Sequence, residues 1–303
     1  MPTDIDHDRP YLAIGEVAKR TGVNPITLRA WQRRFGLVIP ARTPKGHRLY
    51  SERQLQQIRE ILQWLERGVA ISKVKPLLQS GVAMPPELGA DNHTDGDWQR
   101  LEGALLNATL QLQASALQQQ LDEACSLYPP LLLGRHLQAW LSKMAQCLAG
   151  RVDGSLIDAW LQQQLTQWLA LRAGKLLSQK PPQILLARLG QQPFQSEWLL
   201  TLALALRGHY PHMVGNIVAP ETLLLLSERQ PFAAVVIFPA PSHCQKTAEQ
   251  LIRLAQALPC PLLLGGEFAP LFTGALVASP VGQLPPDGDV TAAIERMREA
   301  NDD

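Results

Sequence analysis

Apolar residues recur along this chain with spacings that change from one stretch to the next. Near the start, Ile14, Val17, Ala18 and Val23 line one side of IGEVAKRTGV, and Gly22 supplies a left-handed turn that halts it. Leu28, Trp31 and Phe35 then follow an i, i+3, i+7 stripe, which predicts a second helix with its apolar side turned inward. Asn24 suits the cap of that helix and Pro25 its first position, since Asn accepts from an unpaired backbone N–H and Pro has none to leave unpaired. Two short helices joined by a tight turn make a helix-turn-helix, and the stripe leaves Thr27, Arg29, Arg33 and Arg34 to point away from the core. From Pro40 to Tyr50, PARTPKGHRLY, a Pro-Lys-Gly turn sits between short extended pieces carrying Arg42, Lys45, His47 and Arg48, which predicts a basic wing. A third helix opens at Ser51 with a Ser-x-x-Gln box closed by Gln54 and continues through Ile58, Ile61, Leu62 and Leu65.

From Ser80 to Gly96, Pro, Gly, Asp and Asn cluster without periodicity, which marks 81–96 as a linker. The stretch 97–179 is rich in Leu, Gln and Ala and is broken at Tyr128-Pro129-Pro130 and at Gly150 to Gly154. Leu101, Leu105, Ala108 and Leu112, then Leu137, Leu141, Met144 and Ala145, repeat at helical spacing, so a helical bundle is expected. After Lys180-Pro181-Pro182 the period changes. Short apolar runs (ILLARL, HMVGNIV, AAVVIFPA, CPLLLGG) alternate with longer helical stretches, and 289–300 closes as a helix. Apolar strands alternating with helices imply a parallel sheet covered on both faces. The fold class is multidomain, α and α/β: a winged helix-turn-helix head over 10–80, the bundle over 97–179, and a doubly wound, flavodoxin-like domain over 180–303.

Charge sharpens this division. Between Tyr11 and Ser80 there are thirteen Lys and Arg against four Asp and Glu, whereas Gly81 to Asp303 holds fourteen against twenty, so the net charge of +1 hides a cationic head on an acidic body. Such a head is suited to phosphates. The four cysteines, Cys125, Cys147, Cys244 and Cys260, form no CxxC pair and read as buried thiols. No apolar run reaches the roughly 18 residues of a membrane helix, and MPTDIDHDRP is acidic where an export signal is basic. A cytoplasmic protein is expected.

The segment IGEVAKRTGVNPITLRAWQRRFGLVIPARTPKGHRLYS resembles the head of the MerR family, both in its recognition helix around Leu28-Arg29 and in its Arg-x-x-x-Gly-x-Arg-x-Tyr wing. The form RAWQRRFGL is similar to the branch that holds the CarH and LitR cobalamin-dependent light regulators and MlrA. The resemblance implies a double-stranded DNA operator as partner, with contacts from Arg29 and its neighbours and from Arg48 and Tyr50. Helix-turn-helix proteins commonly bind paired half-sites, so a homodimer or higher assembly is expected.

That branch also implies a cobalamin-binding-like body, with a lower-ligand His in an Asp/Glu-x-His-x-x-Gly loop after the first strand and a Trp followed by Glu-His in the bundle. Here the loop reads PFQSEW, with Gln195 where the ligand would stand and Trp198 where the small residue would be, and Gln162, Gln163 and Gln164 occupy about the place of Glu-His. An amide is a poor cobalt ligand, so cobalamin is not expected. Gly265-Gly266 after the fourth strand marks a possible crevice for a ligand, or a tight strand-to-helix turn. No metal site is expected, because His93, His136, His209, His212 and His243 lack ligand-spaced carboxylates or thiols. No phosphate loop or Gly-x-Ser-x-Gly elbow is present, and Ser242-His243-Cys244 are only sequence neighbours, so no catalytic residue is assigned. The leading expectation is a DNA-binding transcriptional regulator whose body senses or oligomerises without cobalamin. The alternatives are a body that still holds a small ligand, or cobalamin without histidine ligation, and a body that docks a partner photoreceptor or signalling protein.

Overall fold

The computed structural model describes residues 11–80, 96–190, 193–240, 245–277, 279–285 and 288–302. The chain divides into two compact units, Met1–Asp153 and Gly154–Asp303. The expected linker lies outside the described residues except for Gly96.

The first unit begins with β1 (Leu12–Ala13), α1 (Ile14–Thr21) and α2 (Pro25–Phe35), continues through β2 (Ala41–Arg42) and β3 (Arg48–Tyr50), and reaches α3 (Glu52–Glu66) and α4 (Ile71–Ser80). Local chemistry sets these boundaries, at Gly22, Asn24 and Ser51 as expected and at Gly36 without having been foreseen. Gly22 ends α1 at φ +71°, the Asn24 side chain accepts from the Thr27 N–H at 2.8 Å, and Gly36 closes α2 at φ +61°. Ser51 and Gln54 cap α3 reciprocally. Strand β3 pairs antiparallel with β1 and with β2, so the hairpin Ala41–Tyr50 is anchored to the first residues of the head. Val17, Val23, Leu28, Leu55, Ile58 and Ile61 form a core at most 2% exposed.

The unit continues with α5 (Gly96–Leu110), α6 (Ala114–Leu127) and α7 (Pro130–Leu148). Asp97, in the first turn of α5, accepts from the backbone N–H and the hydroxyl of Ser72 at 3.1 and 2.9 Å, so it caps the start of α4. A turn at 111–113, not foreseen, splits the expected first bundle helix. Leu112 stands in it at φ +52° and 45% exposed, off the buried stripe formed by Leu101, Leu105 and Ala108.

The second unit comprises α8 (Gly154–Gly174), β4 (Gln183–Arg188), α9 (Phe194–Leu206), β5 (Tyr210–Asn216), α10 (Leu223–Ser227), β6 (Ala234–Phe238), α11 (Gln245–Ala257), β7 (Leu262–Leu264), β8 (Val281–Gln283) and α12 (Val290–Asp302). Its strands run parallel in the order β5-β4-β6-β7-β8, the doubly wound flavodoxin arrangement. Alternate residues feed opposite faces. Leu185, Ala187, Val235, Ile237, Leu262 and Leu264 meet Leu251 and Leu254 of α11, whereas Ile184, Leu186, Val236, Phe238 and Leu263 meet Leu200 and Leu204 of α9 and Val290 of α12. The three-residue strand β8 was not foreseen. Strand β5 is the sheet edge, which leaves Met213 and Val214 42% and 40% exposed.

Helix α8, expected to close the bundle, clusters instead with the sheet. The reason is packing: Trp198 of α9 lies against Trp168 of α8, with ring centroids 6.1 Å apart.

Candidate nucleic-acid interface

Helix α2 presents Ile26, Arg29 and Arg33 to solvent, positions three and four apart that share one side of a helix. In the hairpin, Arg42, Lys45 and His47 are exposed and Arg48 is half-buried. The two elements are joined by a bond not foreseen: Arg48 Nε donates to Gln32 Oε1 at 3.0 Å, which fixes the base of the hairpin to the middle of α2. Tyr50 is fully buried beside this junction. Burial pushes its phenol above the ordinary value, while the positive charges of Arg48 and Arg29 act in the opposite sense. A buried Tyr50 cannot reach a duplex from this arrangement, so its expected contact differs from where the structure places it. Elsewhere in the head, Glu52 accepts from Tyr11 at 2.6 Å and from Arg20 at 2.9 Å, and the Tyr11 bond above all holds its carboxyl below the usual value despite the cost of burial.

The next side of α2 departs from expectation more strongly. Thr27 does not point outward. It is 0% exposed, and its hydroxyl donates to the carbonyls of Cys125 and Tyr128 at 3.3 and 3.5 Å. Trp31 is equally buried, and its Nε1 donates to the Leu127 carbonyl at 2.8 Å. Arg34 pairs with Glu123 at 2.9 Å, a carboxylate shared with Arg100 at 2.8 Å. Burial opposes ionisation of Glu123, but the hydrogen bonds from Arg34 and Arg100 outweigh it and hold the carboxyl below its ordinary value. These partners lie about a hundred residues away at the C-terminal end of α6 and on its cap residue Tyr128, where backbone carbonyls have no donor within their own helix. Nothing local in the sequence signals such a contact, because the acceptors for Thr27 and Trp31 are main-chain atoms and the Glu123 carboxylate lies far away in the chain.

In the second unit Trp198 is 3% exposed and its Nε1 donates to the Leu165 carbonyl of α8 at 3.0 Å. Gln195 is half-buried on the first turn of α9. A β-carbon at Gly265 would lie 2.7 Å from Leu200 Cδ2 and 2.9 Å from Val236 Cγ1, and one at Gly266 would lie 2.9 Å from Phe238 Cδ1. Both glycines make room for side chains of the sheet's own core.

Among the described residues no group of His, Cys, Asp and Glu could hold a metal. His136 is stacked on Trp98 at 4.5 Å, and burial pushes its pKa down to about 4. His209 sits at the end of α9 with its pKa lowered by burial, and His212 touches Tyr210 and Phe232. His93, His243 and the Ser242-His243-Cys244 run lie outside the described residues.

The family model for the MerR HTH family regulatory protein matches residues 12–81. The HTH-type transcriptional regulator ZntR of Escherichia coli is 30% identical over 116 residues, 37% of this chain and 79% of its own length. The chain belongs to the MerR family. Among MerR-type relatives, the HTH-type transcriptional regulator MlrA of Salmonella typhimurium is 38% identical over 152 residues, 48% of this chain but only 59% of MlrA. The HTH-type transcriptional repressor CarH of Myxococcus xanthus is 28% identical over 276 residues, 86% of this chain and 90% of CarH. A solved cobalamin-binding protein from Desulfitobacterium hafniense aligns with 65% of this chain and 98% of its own at 15% identity and a TM-score of 0.32, too low to bear on ligands. These relatives are named as regulators of transcription, not as enzymes. No described helix is long and apolar enough to cross a membrane.

Proposed function

We propose that the protein is a sequence-specific, operator-binding regulator of transcription that acts as a dimer, reading duplex DNA with Arg29 and Arg33 of α2 and gripping phosphates with Arg42, Lys45, His47 and Arg48 of the hairpin. The carrying observation is the Arg48–Gln32 bond, which holds the two cationic elements of a MerR-type head together. Arginine can pair two-pronged with guanine in a major groove, and hairpin cations displace counterions from phosphate. One head makes too few contacts for tight selectivity, which favours paired half-sites.

The body is proposed to sense or oligomerise without cobalamin. The residues present do not fit a histidine-ligated corrinoid: Gln195 offers an amide, Trp198 fills the space between α8 and α9, and Phe238 occupies the room left by Gly266. The filled crevice also supports the second reading, in which a partner photoreceptor or signalling protein delivers the signal.

Selection of duplexes by the full chain from a random pool, followed by titration of the enriched duplex, tests the DNA reading. Arg29→Ala and Arg48→Ala should each weaken binding by about 1–3 kcal/mol and flatten its salt dependence. Equal, weak affinity for every duplex at every ionic strength would overturn it.

A further inference from the structure

We infer that the last turn of α6 is an internal competitor for DNA: Glu123 and the carbonyls of Cys125, Leu127 and Tyr128 hold the Thr27–Trp31–Arg34 side of α2 and keep the recognition helix out of the major groove until they let go. This rests on the DNA-binding reading above and assigns its regulation.

Three kinds of observation carry it. The first is donor chemistry. A hydroxyl, an indole N–H and a guanidinium of α2 are all engaged, each on an oxygen. Arg34 in particular, a side chain otherwise free to meet a phosphate, is held by a carboxylate in a charge-assisted bond. The second is the field. The C-terminal end of a helix carries the negative pole of its dipole, and Glu123 adds a formal charge there, so α6 offers α2 an anionic oxygen surface of the sort a phosphate backbone offers. The third is space. The major groove is about 12 Å wide and a helix with its side chains about 10–12 Å across, so the groove admits one helix and not two packed side by side. Ala30, Thr27 and Trp31 are at most 3% exposed with α6 in place. The Ile26–Arg29–Arg33 side stays open and the Arg34 side chain is 37% exposed, enough for a first encounter with phosphate but not for seating the helix.

The contact is built to be exchanged. Its polar bonds end on a helix terminus, where water or DNA can replace each partner, and the Arg34 and Glu123 side chains remain 37% and 19% exposed. Whatever moves α6 relative to α2 would then set the operator affinity.

The test uses the full chain and a mixed-sequence duplex long enough for two half-sites. Glu123→Arg reverses the charge that holds Arg34, and Asp122→Arg makes the same change of net charge on the neighbouring residue. Glu123→Arg should bind the duplex about five- to tenfold more tightly than Asp122→Arg, a coupling of ordinary size. Because the reversed charge could disturb folding, hydrogen exchange of the unaltered protein is the second measurement. Saturation with duplex should speed amide exchange over 121–128. If Glu123→Arg binds no more tightly than its control, or if exchange over 121–128 stays the same or slows, the internal competitor is refuted while the DNA reading stands. If neither variant nor the unaltered chain binds any duplex, both fall together.

Discussion

Each unit of this protein buries a tryptophan that donates its indole N–H to a backbone carbonyl of a neighbouring helix, yet the two contacts do different work. Trp31 bonds Leu127, in the last turn of α6, where the carbonyl has no donor within its own helix; Trp198 bonds Leu165, in the interior of α8, where the carbonyl already closes a helical turn. Trp31 is flanked by a threonine hydroxyl bond and an arginine–glutamate pair, whereas Trp198 leans on Trp168 and sits beside the core that includes Leu200 and Leu204. A polar contact at a helix end can be exchanged for water at small net cost, since each lost bond is replaced. Opening either contact uncovers a buried indole, but opening the second also parts Trp198 from the Trp168 ring. The first is suited to a switch and the second to a permanent joint.

The sharpest way to break this contrast is to remove the Trp198 ring. Trp198→Ala should destabilise the second unit by about 3–5 kcal/mol, read as faster amide exchange throughout β4 and β6. A loss under about 1 kcal/mol would mean that α8 and α9 are not held by this ring.

The first unit should respond to pH more than to any one polar bond. His136 is neutral in the fold with a pKa near 4 against an ordinary 6.5. The unfolded chain therefore binds a proton that the folded one refuses, so the stabilisation is complete above about pH 6.5 and is lost as pH falls toward 4, by roughly 3 kcal/mol in all. Urea titrations of the full chain across this window measure it, and His136→Phe, which keeps the stack on Trp98, should flatten the slope.

The smallest effect is expected at the switch-like contact itself. Trp31→Phe keeps most of the apolar bulk and deletes the bond to Leu127, so it should cost only about 1 kcal/mol of stability in the first unit. A cost as large as that of Trp198→Ala would erase the distinction between the two tryptophans.

Much of the head was legible from residue order, because caps, turns and helical stripes act within a few positions. Asn24, Gly22 and the Ser51–Gln54 box stand where local chemistry required them. The sheet order could be anticipated only in kind. Strand β8, three residues long, carries too short a pattern to register, and the turn that places Leu112 outward interrupts a run that looks continuous. Of the residues expected to contact DNA, Arg29, Arg33, Arg42, Lys45 and His47 are exposed, while Thr27 and Tyr50 are buried and Arg34 is paired. The stripe rule identified the side facing the head's own core but could not know that a second helix covers the adjacent side.

What the order of residues determined by itself was most of the elements, the cationic head and an amide rather than an imidazole at Gln195, since periodicity, charge and side-chain type are local properties. Tertiary structure alone decided which donors of α2 are spent on α6, that Trp198 packs against α8 and Phe238 beside Gly266, and that α8 joins the sheet. Those outcomes depend on main-chain carbonyls and on volumes brought together from distant positions, and neither leaves a mark in the neighbouring sequence.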